Sequence, residues 1–379
     1  MAEVSPAQQA PVAAHRAKAG ASGHAKGIEK KEAVKSKAGS GRIWRGVLIG
    51  CGNVACRAHI PAWRRDPRFR IAALLEPDPA RRQLARELLP EAAIYSAAGP
   101  WLADGGFDFA DICAPPAAHA ELALAALRAG LHVLCEKPLV TSYADLARLR
   151  EAACQTGRTI CTVHNWRYAP LFRAAAALVR SGCLGAIHTV SLTVLRPPTA
   201  GGGVSAWRQR PEIAGGGILL DHGWHQLYLL RTLLPTAPLT LSAHIGRQGA
   251  AAALGVEDIV RLEITYPAAT AVVELSWRAD RRRNEGLVTG ERGELRLEDD
   301  HLVLRIGSRQ QRQDFPEALS AGSHHADWME GVITEFHEEM EDPVRCGTNL
   351  TEATWCAYLI NLAYRSHREG SALPVVAPL

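Results

Sequence analysis

The 379-residue chain has no apolar run long enough to span a bilayer, and its opening residues lack a secretory apolar core and a paired arginine. No membrane partner or export route is expected. It has no Cys-x-x-Cys pair and no His/Cys group at zinc spacing; its nine cysteines (51, 56, 113, 135, 154, 161, 183, 346 and 356) are scattered and odd in number. That usage fits free thiols in a reducing cytoplasm, and no metal site is expected. No internal repeat is found. A dominant charge of one sign is also missing. The net charge is +4, but residues 1–42 hold eight Lys or Arg against three Glu, so the remainder is about −1. No nucleic-acid partner is expected of that remainder. The basic segment 1–42, rich in Ala, Gly, Lys and Ser, cannot offset its ordering entropy by burial and reads as a disordered tail.

What is present reads as two domains. Over residues 43–165 short apolar runs alternate with helical patterns, the mark of a parallel sheet wrapped by helices. Strands are expected at Gly46–Ile49, Ile71–Leu75, Phe109–Ala114 and His132–Cys135. Helices are expected at 80–89, 118–129 and 143–154, the second ending at Gly130. From residue 166 to 379 the rhythm changes. A helix at about 170–181 precedes longer strands in which Val260, Leu262, Ile264 and Tyr266, then Ala271, Val273, Leu275 and Trp277, hold one parity against polar neighbours. Such alternation argues for an α+β domain with an antiparallel sheet, one face on a core and the other free for another subunit. Between these parts Pro197–Gly217 carries six Gly and three Pro and reads as a loop that wanders or closes over something.

Three motifs carry chemistry. Gly50-Cys-Gly-Asn-Val-Ala55 follows a strand and opens a helical pattern, so its glycines allow a tight turn and close approach of the backbone to a pyrophosphate. Glu76 ends the next strand, 24 residues past Gly52, where a carboxylate can accept from an adenosine ribose diol. A 2′-phosphate would meet that charge, favouring NAD over NADP; Arg81 and Arg82 pull the other way. The lesser alternative for Glu76 is a solvated strand-end carboxylate. The second motif is Glu136-Lys137-Pro138, a lysine at the carboxyl end of an apolar strand, the edge where open α/β sheets bind ligands. The third is Asp221-His-Gly-Trp-His225. On a helix Asp221 and His225 share one face, with His222 and Trp224 directed elsewhere. That pair can bind a metal or serve as carboxylate and base; without further ligands at interpretable spacing, acid–base work is the better fit.

These motifs, in this order, resemble the glucose-fructose oxidoreductase, inositol dehydrogenase and MocA family. So do Ala114-Pro-Pro-Ala-Ala-His119, Asn165-Trp-Arg-Tyr-Ala-Pro170, Trp207-Arg208, Gly255-Val-Glu-Asp-Ile-Val260 and Gly290-Glu-Arg-Gly-Glu-Leu295. The resemblance implies a Rossmann doubly wound parallel sheet followed by an α+β domain with a large, open, mostly antiparallel sheet through which copies associate. It implies that Lys137, Asp221 and His225 line a substrate pocket beside a nicotinamide, and that the peptide before Pro138 is cis. Residues matching its nucleotide side are Gly50, Gly52, Asn53, Val54, Glu76, Ala114, Pro115, His119, Glu136, Lys137, Trp207 and Arg208, and those matching its substrate side are Asn165 and Tyr168.

The activity so implied is hydride transfer between NAD and a secondary alcohol of a sugar, sugar derivative or cyclitol. His225, with an unperturbed pKa of about 6.5, suits the hydroxyl proton. Lys137 would stabilise the developing alkoxide, and Asp221 would orient its neighbours. Two other readings stay open: redox-neutral epimerisation, elimination or glycoside cleavage with tightly held NAD, and a non-catalytic NAD- or sugar-sensing regulator.

Overall fold

A computed structural model of the chain describes residues 42–97, 99, 105–198, 206–248, 255–322 and 324–378. The tail expected to be disordered, up to residue 41, and the Gly201–Gly203 run lie outside the described residues. Among those described, no helix is long and apolar enough to cross a membrane.

The first sheet has six parallel strands in the order β3-β2-β1-β4-β5-β6: β1 (Trp44–Ile49), β2 (Phe69–Leu75), β3 (Ala93–Tyr95), β4 (Phe109–Ile112), β5 (His132–Cys135) and β6 (Ile160–Thr162). This is the Rossmann order, with the switch point between β1 and β4. Every residue of β4 and β5 is buried, as expected of central parallel strands covered on both faces. The covering helices are α1 (Ile60–Arg65), entered through a π-helical turn at Ala55–His59, α2 (Pro79–Leu88), α3 (His119–Arg128) and α4 (Tyr143–Thr156). Asp78 caps α2 by accepting the N–H groups of Ala80 and Arg81, and Pro79 supplies the preset first-turn φ.

After α5 (Pro170–Arg180) the chain builds a nine-stranded sheet. Its strands are β7 (Ile187–Leu195), β8 (Thr240–Gly246), β9 (Ile259–Thr265), β10 (Thr270–Ser276), β11 (Arg283–Gly290), β12 (Gly293–Leu297), β13 (His301–Ile306), β14 (Arg309–Asp314) and β15 (Leu373–Pro374). The order is β14-β13-β12-β11-β7-β10-β9-β8-β15, antiparallel except where β7 runs beside β10. The expected alternation holds: Val260, Leu262 and Ile264 face the core while Arg261 and Glu263 face out.

Helices α6 (Trp224–Leu233), α7 (Ala326–Glu341) and α8 (Thr348–Glu369) complete the chain. The part read as a C-terminal domain does not all stay with the second sheet. Helix α7 puts Met329, Val332, Ile333 and Phe336, at helical spacing, into the first sheet's core with Trp63, Phe69 and Phe109. The Trp63 and Phe109 rings stand 4.9 Å apart, and Phe336 lies edge-on 5.8 Å from Phe109.

Candidate active site

A cavity of about 620 Å³ opens at the carboxyl ends of β1, β4 and β5 and reaches the inner end of β7 and the start of α6. On the first-sheet side its wall is backbone. Gly50 has φ +95°, and a Cβ there would lie 2.8 Å from the Cys113 carbonyl oxygen, so the turn closes only as glycine. Gly52, Asn53 and Val54 then line the cavity. Glu76 is buried beneath this turn: one carboxylate oxygen accepts the Cys51 N–H at 2.8 Å and the other the Asp78 N–H at 2.9 Å. Gly50 and Glu76 thus shape the turn from behind the wall. Arg81, at the same end, faces the cavity, its guanidinium 3.8 Å from where a Gly52 side chain would begin.

The next stretch comes from β4 and β5. Ala114, Pro115, His119, Glu136 and Lys137 all line the cavity, and the Lys137–Pro138 peptide is cis. The His119 ring bridges the Ala114 and Pro138 carbonyl oxygens, 2.8 Å from each, while burial lowers its pKa. Behind Glu136 lies a buried polar chain that sequence spacing does not reveal. His59 Nδ1 sits 2.8 Å from Asp111 Oδ2, and Nε2 sits 3.0 Å from Glu136 Oε1. Trp63 Nε1 donates to Asp111 at 2.7 Å. Burial works against a charged His59, but Asp111 beside it outweighs burial and holds the pKa well above the ordinary value. With Cys113 Sγ 3.3 Å from Nδ1, His59, Asp111 and Cys113 form a compact donor group of the kind that can hold a metal. Here they satisfy one another, as buried polar groups must.

The opposite wall is made of side chains. Leu219–Gly223 is a π-helical turn leading into α6, a rare geometry often found at functional sites. It begins against Glu257, whose carbonyl oxygen would lie 2.0 Å from a Cβ at Gly217, so the Gly215–Gly217 run marks tight packing, not a wandering loop. The turn brings Asp221, His222 and His225 together onto the cavity. His222 therefore does not point elsewhere, as regular α-helical spacing predicts, whereas Trp224 does: it is buried and donates to His164.

Lys137 Nζ donates to Asp221 Oδ1 at 2.7 Å and to the Asp221 carbonyl oxygen at 2.8 Å. Arg208 Nε stands 3.5 Å and His222 Nε2 3.8 Å from Asp221 Oδ2. Burial would raise the Asp221 pKa, but Lys137, His222 and Arg208 together outweigh it and hold the carboxyl well below its usual range. The His225 ring stacks on Trp166 at 4.7 Å, with Nδ1 2.8 Å from the Tyr228 hydroxyl, which also accepts the Trp166 N–H. Burial, reinforced by Lys137 and His222, drives the His225 pKa well below 6.5, so the expectation of an unperturbed histidine is corrected: it is neutral throughout the physiological range. His222 is pushed down to about 3, first by burial, and its Nδ1 is buried without a partner among the described residues.

Asn165, Trp207 and Arg208 also face the cavity. Tyr168, expected beside the substrate, does not. Its hydroxyl donates to Glu335 and its ring lies over Gly331, so it joins α7 to the fold. Lining residues missed in the sequence include Arg196, Trp277, Arg282 and His324. The signal for Arg196 and Trp277 was their place just after the ends of β7 and β10, and for Arg282 its place just before β11.

Residues 44–164 match the model of the oxidoreductase family with an NAD-binding Rossmann fold, and residues 172–296 that of the GFO/IDH/MocA C-terminal domain. D-apiose dehydrogenase of Paraburkholderia graminis is 31% identical over 270 residues, 69% of either chain. The chain belongs to the GFO/IDH/MocA oxidoreductase family. The dTDP-3,4-didehydro-2,6-dideoxy-alpha-D-glucose 3-reductase of Streptomyces violaceoruber is 32% identical over 189 residues, 49% of this chain and about half, 53%, of that relative's length. Among solved structures, an oxidoreductase of Agrobacterium radiobacter in complex with NAD+, L-tartaric acid and magnesium superposes with TM-score 0.77 at 22% identity, covering 87% of this chain and 98% of that one. At that identity the likeness establishes the fold.

Proposed function

We propose that the protein is an NAD-dependent dehydrogenase acting on a secondary alcohol of a sugar, sugar derivative or cyclitol, with Lys137, Asp221 and His225 as its catalytic set. The observation that carries this reading is the meeting of a Lys137–Asp221 ion pair and a neutral His225 in the cavity that the Gly52–Val54 turn also lines. The glycine turn fits a dinucleotide, since its backbone faces the cavity with no side chain at Gly52 to fend off a pyrophosphate. Gly52, Asn53, Val54, Ala114, Pro115 and His119 would hold it, with Glu76 acting through the turn's shape.

When bound, the nicotinamide supplies the hydride acceptor. The protein's own part is to manage the proton and the charge. With Nδ1–H donated to the Tyr228 oxygen, His225 Nε2 carries the lone pair that receives the hydroxyl proton. Lys137 places its ammonium group where the alkoxide charge develops, and Asp221 anchors that ammonium through two contacts. Asn165 and Trp166 complete the substrate side.

We assign residues 43–165 to the nucleotide domain and 166–379 to the substrate domain, with α7 returning to the former. A second copy would pair on the outer face of the nine-stranded sheet, where Ser191, Val272 and Leu287 stand side by side. The nine free cysteines suit a reducing cytoplasm. The test is NADH formation by purified protein over a panel of sugars and cyclitols. A protein that binds NAD yet reduces none of it on any of them overturns the dehydrogenase reading in favour of redox-neutral chemistry or sensing.

A further inference from the structure

The substrate end of the cavity holds more positive charge than its carboxylates offset. Lys137, Arg196, Arg208 and Arg282 all line it. Among the described residues two carboxylates line the cavity, Asp221 and Glu136, and Asp221 is shared between Lys137 and Arg208. Glu136 is committed to His59. Arg196 is only 4% exposed, yet its partners are neutral: Nη1 donates to the Leu195 and Arg283 carbonyl oxygens and Nη2 to Asn284 Oδ1. Its Nε is buried without a partner among the described residues. Arg282 likewise donates Nε to a carbonyl oxygen, that of Ser320. The remaining carboxylate that acts on Arg196, Asp299, gives its oxygens to Asn284 and Ser320. Asp221 and Asp299, together with the one negative charge left over in the His59–Asp111–Glu136 group, against Lys137, Arg196, Arg208 and Arg282 still leave an excess of one positive charge. Residues 199–205, which follow β7 in the chain, bring no charged side chain.

Burying a guanidinium against neutral acceptors alone is costly, and the cost is recovered when an anion completes its hydrogen bonds. Burial and the nearby Arg282 lower the Arg196 pKa only to about 10, so it stays charged at neutral pH. On the same reading the dinucleotide's own phosphates would be held elsewhere, at the Gly52 end, where Arg81 stands. Resting on the dehydrogenase reading above, we infer that the physiological substrate is an anionic sugar or cyclitol derivative, whose carboxylate or phosphate is received by Arg196, Arg282 and Arg208 while its secondary alcohol meets Lys137 and His225.

The experiment compares matched ligands on the NAD-loaded protein: glucose with gluconate, glucuronate and glucose 6-phosphate, and inositol with an inositol phosphate. Each is followed by NADH formation and, separately, by calorimetric binding. The expected result is an anionic member preferred at least about tenfold over its neutral partner, in keeping with charge-assisted hydrogen bonds. A preference in the carboxylate arm alone names a sugar acid; one in the phosphate arm alone names a sugar phosphate. Arg282→Gln, at the cavity's rim and therefore compatible with folding, narrows the preference about tenfold. Neutral members bound or turned over as well as anionic ones overturn the inference and leave the dehydrogenase reading intact. Anionic members that bind tightly without forming NADH do the reverse.

Discussion

The two walls of the cavity are built by opposite means. The wall on the first sheet uses backbone: a glycine turn, strand ends and a cis peptide from neighbouring stretches of chain. The facing wall uses charged and aromatic side chains delivered from strand ends and a π-helical turn. A backbone wall suits a ligand common to a whole family, and a side-chain wall is free to change with the substrate. Substitutions on the two sides should therefore fail differently.

The largest effect is expected where the two walls meet, at Lys137, which stands at the end of β5 on the first wall and reaches across to Asp221 on the second. Lys137→Ala should lower kcat by about 10²–10³ while NAD affinity, read by fluorescence titration, changes by less than about threefold; comparable losses in both would erase the division. On the backbone wall, Gly50→Ala forces a side chain into φ +95° and against the Cys113 carbonyl. It should cost about 1–3 kcal/mol in stability, seen as a lower Tm, and weaken NAD binding. An intermediate effect is expected from Tyr228→Phe, which removes the hydroxyl at His225 Nδ1. A loss of about 1 kcal/mol of hydrogen bonding predicts kcat down several-fold with KM nearly unchanged in steady-state assays.

The smallest effect on turnover lies away from both walls. Glu339 on α7 accepts the N–H groups of Gly347 and Asn349, and burial lifts its pKa from the ordinary carboxylate range to about 7. Its contribution to stability is complete at acid pH and is lost as the pH rises through about 7, because the folded state prefers the proton. Glu339→Gln should flatten that part of the stability–pH profile in urea melts without moving the pH profile of turnover.

Legibility in the sequence followed the same division. The glycine turn, Glu136-Lys-Pro and the first-sheet strands were readable because each is a run of consecutive residues whose backbone does the work. Asp221 and His225 were readable as an i, i+4 pair. His222 was misplaced because an α-helix turns neighbours about 100° apart, and nothing local marks a π-helical turn. Tyr168 was misassigned because its partners, Glu335 and Gly331, lie far along the chain on α7. The link from Asp111 through His59 to Glu136 was invisible for the same reason: its members come from a helical turn and the ends of two strands, with His59 lying 52 residues from Asp111 and 77 from Glu136.

The return of α7 also bears on how the protein is made. Trp63, Phe69 and Phe109 belong to the portion synthesised first, but the side chains that cover them, Met329 to Phe336, emerge near the end. During translation an aromatic surface therefore waits, uncovered, for most of the chain's length. A nucleotide-binding half released alone would carry that sticky patch permanently, and truncation before α7 should yield aggregates rather than a small working module.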